Sequence, residues 1–318
     1  MVEVPGSSPV TPTLVHPERK FAGTMTTQTA THITANTANT AKPKAVRPTA
    51  AQRRQADIAE GIIKLSPSSL TFLHDECPAC FWHHYNGRPR PATAFPKVFG
   101  ALDNAQKDFF VGHSTKDIKK SLPAGVIERG KRVRSEAIAL PGTSYRVQFA
   151  GETDTILNFS RAGYGVCDFK TSSPGEGASE LYGRQLHAYA IALERPAGDA
   201  MPLAPVSRMG LICFPPDDMI ELPTHATKRA AKPAAKSRAA TPAAVKRYAY
   251  RTSAVWVEVE RNDEAFLNFV ANAVKLITRP TMPRSAPKCG WCRWSRMTAP
   301  LLEQTSSDAL AHLSTDAA

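Results

Sequence analysis

The sequence predicts an α/β protein in which a mixed sheet is flanked by helices. The first observation is that helical and strand patterns alternate along the chain, in the order helix, hairpin, helix, strand, strand, helix. The second is composition: with 42% hydrophobic and 21% charged residues, a chain of 318 residues is globular and long enough for a sizeable core.

The first half of this core contains two predicted helices and a predicted hairpin. Residues 66–69 (SPSS) predict a capped helix start, and residues 98–110 predict a second helix. Residues 145–157 and 163–170 have the composition of strands. The short link between them, 158–162, favours an antiparallel hairpin.

The second half adds a helix, two strands and a final helix. Residues 181–193 have apolar side chains at amphipathic helical spacing. Residues 206–214 and 253–259 predict two strands, and Asn262 is the predicted N-cap of the last helix. The apolar positions of that helix are Phe266, Phe269, Val270, Val274 and Ile277.

The net charge of +12 is carried by two segments that we expect to be disordered. Residues 1–56 carry +5, are rich in Thr, Ala and Asn, and lack an apolar period. Residues 225–247 carry +7 with nine alanines and two prolines, which predicts a basic insertion. The folded domain would then span 57–297 and end in a flexible tail at 298–318. The sequence leaves two candidates for the start codon, Met1 and Met25.

The sequence argues against a membrane protein and against a secreted one. No run of 18 or more apolar residues exists, so no membrane span is predicted. The N-terminus lacks the basic-then-apolar layout of a signal peptide, and six cysteines in this length do not suggest a disulfide scaffold. We therefore expect a cytoplasmic protein.

Three polar residues lie where strand residues are usually apolar. Asp154 closes the first strand of the hairpin, while Asp168 and Lys170 lie two apart in the second and so leave the same face. If the hairpin pairs these strands, Asp154 approaches Asp168. Converging carboxylates repel each other unless a divalent cation neutralises them, and oxygen ligands of this kind select Mg²⁺ or Mn²⁺.

A lysine beside such a metal suits the hydrolysis of phosphodiesters, because it can orient water or stabilise charge on a phosphate. On its own, an Asp-x-Lys pair at a strand edge is more often an ordinary exposed charge pair. Here Asp154 precedes the pair by a hairpin's length, and Gln185 and Tyr189 follow on one face of the next helix. This context favours a functional site.

These residues belong to a set of short motifs that is specific as a set, although no single member is. The motifs are G-x-x-D at 151–154, D-F-K-T at 168–171, Q-L-x-x-Y at 185–189, LSPSS at 65–69 leading to Cys77-Pro78, and C-x-x-C at 289–292. The set resembles the PD-(D/E)XK nuclease superfamily, specifically its RecB-like and CRISPR-associated exonuclease branch with a four-cysteine metal site. The resemblance covers residues 64–295 outside the basic insertion and implies a restriction-endonuclease-like core.

The resemblance implies roles for the polar residues of the hairpin and the following helix. Asp154 and Asp168 would bind the catalytic metal, and Lys170 would be the catalytic lysine. Gln185 and Tyr189 would lie on the helix that supports the site and contacts DNA.

The resemblance also implies a further metal ligand and an activity. Many members place a His or an acidic residue on an earlier helix, and Asp103 occupies that place here, in departure from the commoner His. The implied activity is that of a metal-dependent deoxyribonuclease, an exonuclease or end-processing enzyme of recombination, repair or phage-related DNA metabolism.

Four cysteines form a second candidate metal site. Cys77 and Cys80 make one C-x-x-C pair, and Cys289 and Cys292 make another. Two such pairs can chelate one metal, while separate pairs of reduced thiols are the alternative. The resemblance implies a structural [4Fe–4S] cluster, but related nucleases divide the cysteines one early and three late. The division into two and two keeps Zn²⁺ open. We expect the tryptophans near these cysteines, Trp82, Trp291 and Trp294, to pack around the metal rather than stack on bases.

The charge distribution predicts a polyanionic partner, because the excess positive charge lies on arms attached to a neutral core. The expected partner is DNA, with RNA not excluded, and a helicase or recombination protein is a further possibility. The alternative function is a catalytically inactive subunit of nuclease fold that binds DNA or a partner protein. The retention of Asp154, Asp168 and Lys170 argues against that alternative.

Overall fold

The computed structural model describes residues 47–91, 96–222 and 246–300. Mixed sheets within these ranges are flanked by helices, so the predicted α/β class is confirmed. No helix in the described ranges is long and apolar enough to cross a bilayer.

The described chain begins with a helix, a strand and two short helices. They are α1 (Ala50–Ala59), β1 (Ile62–Leu65), α2 (Phe72–Glu76) and α3 (Pro78–Tyr85). Thr49 starts α1 with a capping box, since its side chain accepts a hydrogen bond from the Gln52 N–H and the Gln52 side chain accepts one from the Thr49 N–H. Residues 50–56 are therefore helical, although the composition assigned them to the disordered arm. The rest of that arm, 1–46, lies outside the described residues.

The helix expected at residues 66–69 starts differently. Residues Pro67–Leu70 form a 3₁₀ turn, and the Ser66 side chain makes no capping hydrogen bond to the backbone. Instead the Ser66 and Ser68 hydroxyls bond each other at 3.0 Å. The α-helix α2 starts only after this turn.

One long helix and several short elements follow. They are α4 (Lys97–Phe110), α5 (Thr115–Ile118), β2 (Val126–Arg129), β3 (Arg132–Arg134) and β4 (Ile138–Ala139). The helix α4 agrees with the prediction over 98–110. The four short elements were not predicted, because stretches of two to four residues are too short to show a hydrophobic period.

The strand predicted over 145–157 is split into β5 (Arg146–Glu152) and β6 (Thr155–Asn158). The break at residues 153–154 is stabilised by the turn between β2 and β3, which contains Lys131. The Thr153 N–H donates to the Lys131 carbonyl at 3.0 Å, and the Lys131 N–H donates to Thr153 Oγ1 at 2.9 Å. The strand β7 (Tyr164–Lys170) then pairs antiparallel with β6, as the predicted hairpin requires.

The remaining elements agree with the predicted order, with one added ribbon. They are α6 (Ala178–Glu194), β8 (Val206–Cys213), β9 (Pro216–Leu222), β10 (Arg247–Thr252), β11 (Val255–Glu258), α7 (Asp263–Ile277) and a helical segment at 290–300. Asn262 caps α7 as predicted, since its side chain accepts a hydrogen bond from the Ala265 N–H at 3.0 Å. The helical segment 290–300 includes the first residues of the expected tail, and 301–318 lie outside the described residues.

Two sheets and a ribbon organise the fold. The larger sheet has the strand order β11-β8-β7-β6-β2, in which β7 and β8 are parallel and the other pairs are antiparallel. The second sheet has the order β1-β5-β3, with β4 also pairing with β5. The ribbon β9–β10 joins the two ends of residues 223–245, which contain most of the predicted insertion and lie outside the described residues.

The helix α6 is buried on more than one face, which fixes its position between two parts of the core. Ala188 and Ile191 pack in the cluster formed with β1, β5 and α7. Leu186 and Leu193 pack in the cluster formed with β7 and β8. A helix that is apolar on both flanks holds its remaining polar side chains in fixed places.

Candidate functional site

The β6–β7 hairpin brings two carboxylates to one end of the larger sheet. Thr155 pairs with Cys167 in the antiparallel register, so their neighbours Asp154 and Asp168 lie at the same end of the two strands. Asp154 Oδ2 accepts a hydrogen bond from the Phe169 N–H at 3.2 Å. The backbone of β7 therefore holds Asp154 beside the strand that carries Asp168.

Asp168 is the more buried of the two carboxylates, with 4% of its surface exposed. Gln185 Nε2 donates a hydrogen bond to Asp168 Oδ1 at 2.9 Å. Asp168 Oδ2 forms an ion pair with Lys170 Nζ, but no hydrogen bond of good geometry reaches that oxygen. Burial and then the charge of Asp154 raise the pKa of Asp168 to about 6, against the opposing effect of the Lys170 ammonium.

Lys170 ends β7 on the same face as Asp168. Its Nζ lies 4.0 Å from the centroid of the Tyr182 ring, within cation–π distance. A cavity of about 280 Å³ opens beside it, lined in part by Tyr182 and the loop at 172–177. A ligand in this cavity would lie next to the lysine ammonium. From the sequence, Tyr182 belongs to the amphipathic face of the predicted helix and was not predicted as a site residue.

Lys107 on α4 links Asp103 to Asp154. Its Nζ lies 2.7 Å from Asp103 Oδ2 and 2.7 Å from Asp154 Oδ1. Burial lowers the pKa of Lys107, but the hydrogen bonds and charges of the two carboxylates outweigh it, so the pKa is raised overall. Asp103 therefore reaches the site through a lysine that the sequence analysis missed, although the i, i+4 spacing of Asp103 and Lys107 is a readable signal.

The two residues predicted on α6, Gln185 and Tyr189, have different roles in the structure. Gln185 holds Asp168, as described, while Tyr189 is only 5% exposed and packs in an apolar cluster. Burial, and then the negative charges of Asp168 and Asp154, raise the pKa of Tyr189, so its phenol stays protonated. Tyr189 supports the site from within the core and does not offer a surface to a ligand.

Gly151 of the G-x-x-D motif makes this packing possible. A Cβ at position 151 would lie 3.1 Å from Pro67 Cδ and 3.2 Å from Tyr189 Cε1. Both distances are tighter than ordinary van der Waals contact. A glycine here lets α6 and the 3₁₀ turn approach β5 closely.

The four cysteines meet at one point. The distances between sulfur atoms are 3.7 Å for Cys77 and Cys292, 3.6 Å for Cys80 and Cys289, and 3.5 Å for Cys80 and Cys292. All four sulfurs lie within 4.8 Å of one another, and in the described residues they are the one group of three or more possible metal ligands gathered this closely. This arrangement fits a bound metal and joins α3 to the segment at 289–300.

Neighbouring groups favour the thiolate form at one of these cysteines. The Ala286 N–H points at Cys77 Sγ at 3.3 Å, and Arg90 Nη2 lies 3.8 Å from Cys289 Sγ. Burial raises the pKa of Cys289, but hydrogen bonds, first from the Cys292 backbone and then from the Cys80 thiol, lower it overall to about 7. Thiolates are the form in which cysteine binds metals.

The three tryptophans near the cysteines differ in their surroundings. Trp82 Nε1 donates to the Arg279 carbonyl at 3.1 Å, and Trp291 is half-buried against the cysteines. Trp294 is 60% exposed. The expected packing against the cysteines therefore holds for Trp291 and does not hold for Trp294, while the observed partner of Trp82 is the Arg279 carbonyl.

Comparison with known proteins identifies no family. No protein-family model and no curated protein matches the sequence. Among solved structures, the crystal structure of SSO0001 is similar to 71% of this chain and 84% of its own chain, with 11% sequence identity and a TM-score of 0.36. A likeness this distant carries no argument about the site or the activity.

Proposed function

We propose that the protein is a metal-dependent DNA nuclease that hydrolyses phosphodiester bonds, acting as an exonuclease or end-processing enzyme. The observation that carries the proposal is the junction of Asp154, Asp168 and Lys170 at one end of β6 and β7. The motif set that resembles PD-(D/E)XK nucleases of the RecB-like branch requires this junction.

Two features of the site support the proposed divalent cation. Asp168 Oδ2 is buried without a hydrogen bond of good geometry, and Asp103 and Asp154 converge on a single ammonium group. We assign Asp154 and Asp168, with Asp103 as a further ligand, to a Mg²⁺ or Mn²⁺ ion. Such an ion supplies an activated water and polarises the phosphate when bound.

The remaining polar residues position these ligands and the substrate. Gln185 fixes the orientation of the Asp168 carboxylate through its hydrogen bond to Oδ1. Lys170, between Asp168 and the cavity, is placed to stabilise negative charge on a phosphate. Lys107 holds Asp103 and Asp154 in place and neutralises part of their charge.

We further propose that the four-cysteine site holds one tetrahedral ion, Zn²⁺, rather than a [4Fe–4S] cluster. A Zn–S bond of about 2.3 Å places the sulfurs of a tetrahedron about 3.8 Å apart. Three of the six sulfur separations are 3.5 to 3.7 Å, close to that value, and all six are within 4.8 Å. A cluster interposes four irons and pushes the thiolates further apart than one ion does, which these distances do not favour.

The second candidate function is a subunit of nuclease fold that binds DNA or a partner protein without cutting. The observation that favours it is the double ion pair of Lys107, which already engages two of the three carboxylates and offsets part of their charge. The two functions differ in one measurable property, which is cleavage that depends on Lys170.

The test is digestion of end-labelled linear and closed-circular DNA, single- and double-stranded, with Mg²⁺ or Mn²⁺. Anaerobically purified wild type is compared with Lys170→Ala and with Lys64→Ala, a matched lysine on β1 that pairs with Asp57 outside the site. We expect cleavage by the wild type and by Lys64→Ala and its loss in Lys170→Ala. The ratio of linear to circular cleavage separates exonuclease from endonuclease action.

Absence of cleavage by a folded wild type on all these substrates would contradict the nuclease proposal. Equal cleavage by Lys170→Ala would contradict the assigned site. DNA binding without cleavage would favour the second candidate function.

A further inference from the structure

The stretch 279–300, which contains the last two cysteines and ends in the helical segment 290–300, has an unusual surface. It contains five basic residues and no acidic one. They are Arg279, Arg284, Lys288, Arg293 and Arg296, all exposed. In the described part of the chain, none of these five pairs with a carboxylate. The neutral charge balance of the core is therefore broken locally, outside the two basic arms.

A cavity of about 400 Å³ lies on this surface, beside the four-cysteine site. Arg88 and Arg90 from the segment after α3 form one side, and Trp291, Trp294 and Arg296 from the helical segment form the other. Arg90 is paired with Glu76, so its charge is already partly neutralised. Arg88 is exposed and has no carboxylate partner among the described residues, and Arg296 bonds only the Ser285 hydroxyl, at 2.9 Å.

Trp294 is the feature of this cavity that packing does not explain. Its side chain is 60% exposed, although an indole is among the costliest surfaces to leave in water. Trp291 and Trp294 are three positions apart and so lie on one face of the helical segment. Both line the cavity together with Arg88 and Arg296, so the indole is bordered by cations. An exposed ring bordered by unpaired arginines suits a ligand that is both flat and anionic.

We propose that this cavity binds an unpaired stretch of nucleic acid, with Trp294 stacking on a base and Arg88 and Arg296 contacting the phosphates. Stacking requires a base that is free of its partner, which selects single strands over intact duplex. Guanidinium groups bind phosphate oxygens in a forked geometry, which accounts for arginines at this place. The metal between α3 and the helical segment would hold the two sides of the cavity at a fixed separation.

The inference deepens the proposed nuclease function and rests on it for its biological meaning, because it names the form of DNA that the protein holds. Binding itself is separable from cleavage. All variants are therefore made in the Lys170→Ala background and measured without added Mg²⁺ or Mn²⁺, so that no cleavage occurs under the proposed mechanism.

The test is fluorescence anisotropy of a labelled oligo-dT strand and of a labelled duplex, titrated with the full chain. We expect Trp294→Ala to weaken oligo-dT binding by about 10-fold, since base–aromatic stacking contributes on that order, and Trp294→Phe to retain most of the affinity. We expect Arg296→Ala to weaken binding and to reduce the salt slope by roughly 0.7, the value for one phosphate contact on a single strand. Arg161→Ala, at an exposed turn at the far end of β7, is the matched control and should change nothing.

Oligo-dT affinity that is unchanged in Trp294→Ala would overturn the proposal, as would an equal loss of duplex and single-strand affinity. Metal content and circular dichroism of each variant show that the cysteine site is intact, and a variant that fails this check is replaced by Trp294→Gln. Trp294-dependent binding by a wild type that cleaves nothing would refute the nuclease function and leave this inference standing. Cleavage by the wild type, together with oligo-dT binding that does not depend on Trp294, would refute this inference and leave the nuclease function standing.

Discussion

Gln185 donates a hydrogen bond of 2.9 Å to Asp168, and so ties the buried α6 helix to the carboxylate at the end of β7. The pairing joins residues 17 positions apart across the crossover from β7 to α6. Because α6 packs on both flanks, the amide is held by the core of the protein rather than by the flexible surface. The orientation of Asp168 is therefore set by packing.

If the proposed nuclease function holds, Gln185→Leu should lower the activity by about 10- to 100-fold, the range typical when a partner of a metal-binding carboxylate is lost. The reason is that Asp168 loses the donor that fixes its Oδ1. When the rate is measured against Mg²⁺ concentration, the variant should need more Mg²⁺ to reach half of its maximal rate, and that maximal rate should be lower. Gln55→Leu, at an exposed position on α1, is the control, and equal rates in both variants would show that Gln185 has no positioning role.

Asp168 should make the folded protein less stable as the pH rises from about 4 to about 6. Its pKa is raised to about 6 in the folded state, whereas the unfolded value is about 4. The folded state therefore binds the proton more tightly, and this contribution is greatest at low pH and is lost as the pH rises through the folded pKa. Two pH units correspond to a loss on the order of 3 kcal/mol.

The measurement is the free energy of unfolding in urea between about pH 4.5 and pH 7.5, without added Mg²⁺. Asp168→Asn removes the titrating carboxyl group. The free energy of unfolding of this variant, relative to that of the wild type, should therefore increase as the pH rises and become constant above about pH 6. Curves that stay parallel over this range would show that Asp168 has an ordinary pKa.

Cys80→Ser should lose the metal and lower the melting temperature by on the order of 10 °C, because the site links two segments of the chain 209 to 215 positions apart. Elemental analysis of anaerobically purified wild type should give one zinc per chain. Cys167→Ala, at a buried cysteine in β7 away from the cluster, should keep the metal. Iron and inorganic sulfide at four per chain would instead establish the cluster.

Gly151→Ala should reduce the free energy of unfolding by about 1–3 kcal/mol, the usual cost of overpacking. The added methyl group would press on both Pro67 and Tyr189. Gly175→Ala is the matched control, because a Cβ at that loop position meets no atom within 4 Å. Chemical denaturation of the two variants measures the difference, and equal stability would mean that β5 and α6 separate without cost.

The long, strongly periodic elements were predictable from the sequence, and the short ones were not. The helices α6 and α7 and the strands β7, β8 and β11 agree with the predictions, because their apolar spacing is set by the face that each buries. The helix α4 was also predicted, although none of its residues is fully buried. The second sheet, which is built around β1 and β5, was missed. The sequence at 145–157 reads as one strand, and hydrogen bonds from the β2–β3 turn to Thr153 and Asp154 divide it between two sheets.

The sequence by itself determined the class of fold, and it predicted the meeting of Asp154, Asp168 and Lys170 and the two C-x-x-C motifs as one candidate metal site. These follow from residue type and from spacing within one strand or turn. Tertiary structure alone decided that Lys107 joins two carboxylates, that Tyr189 is buried, and that Trp294 is exposed among arginines. The physical reason is that burial and charge pairing depend on which distant elements meet, and local sequence does not encode those contacts.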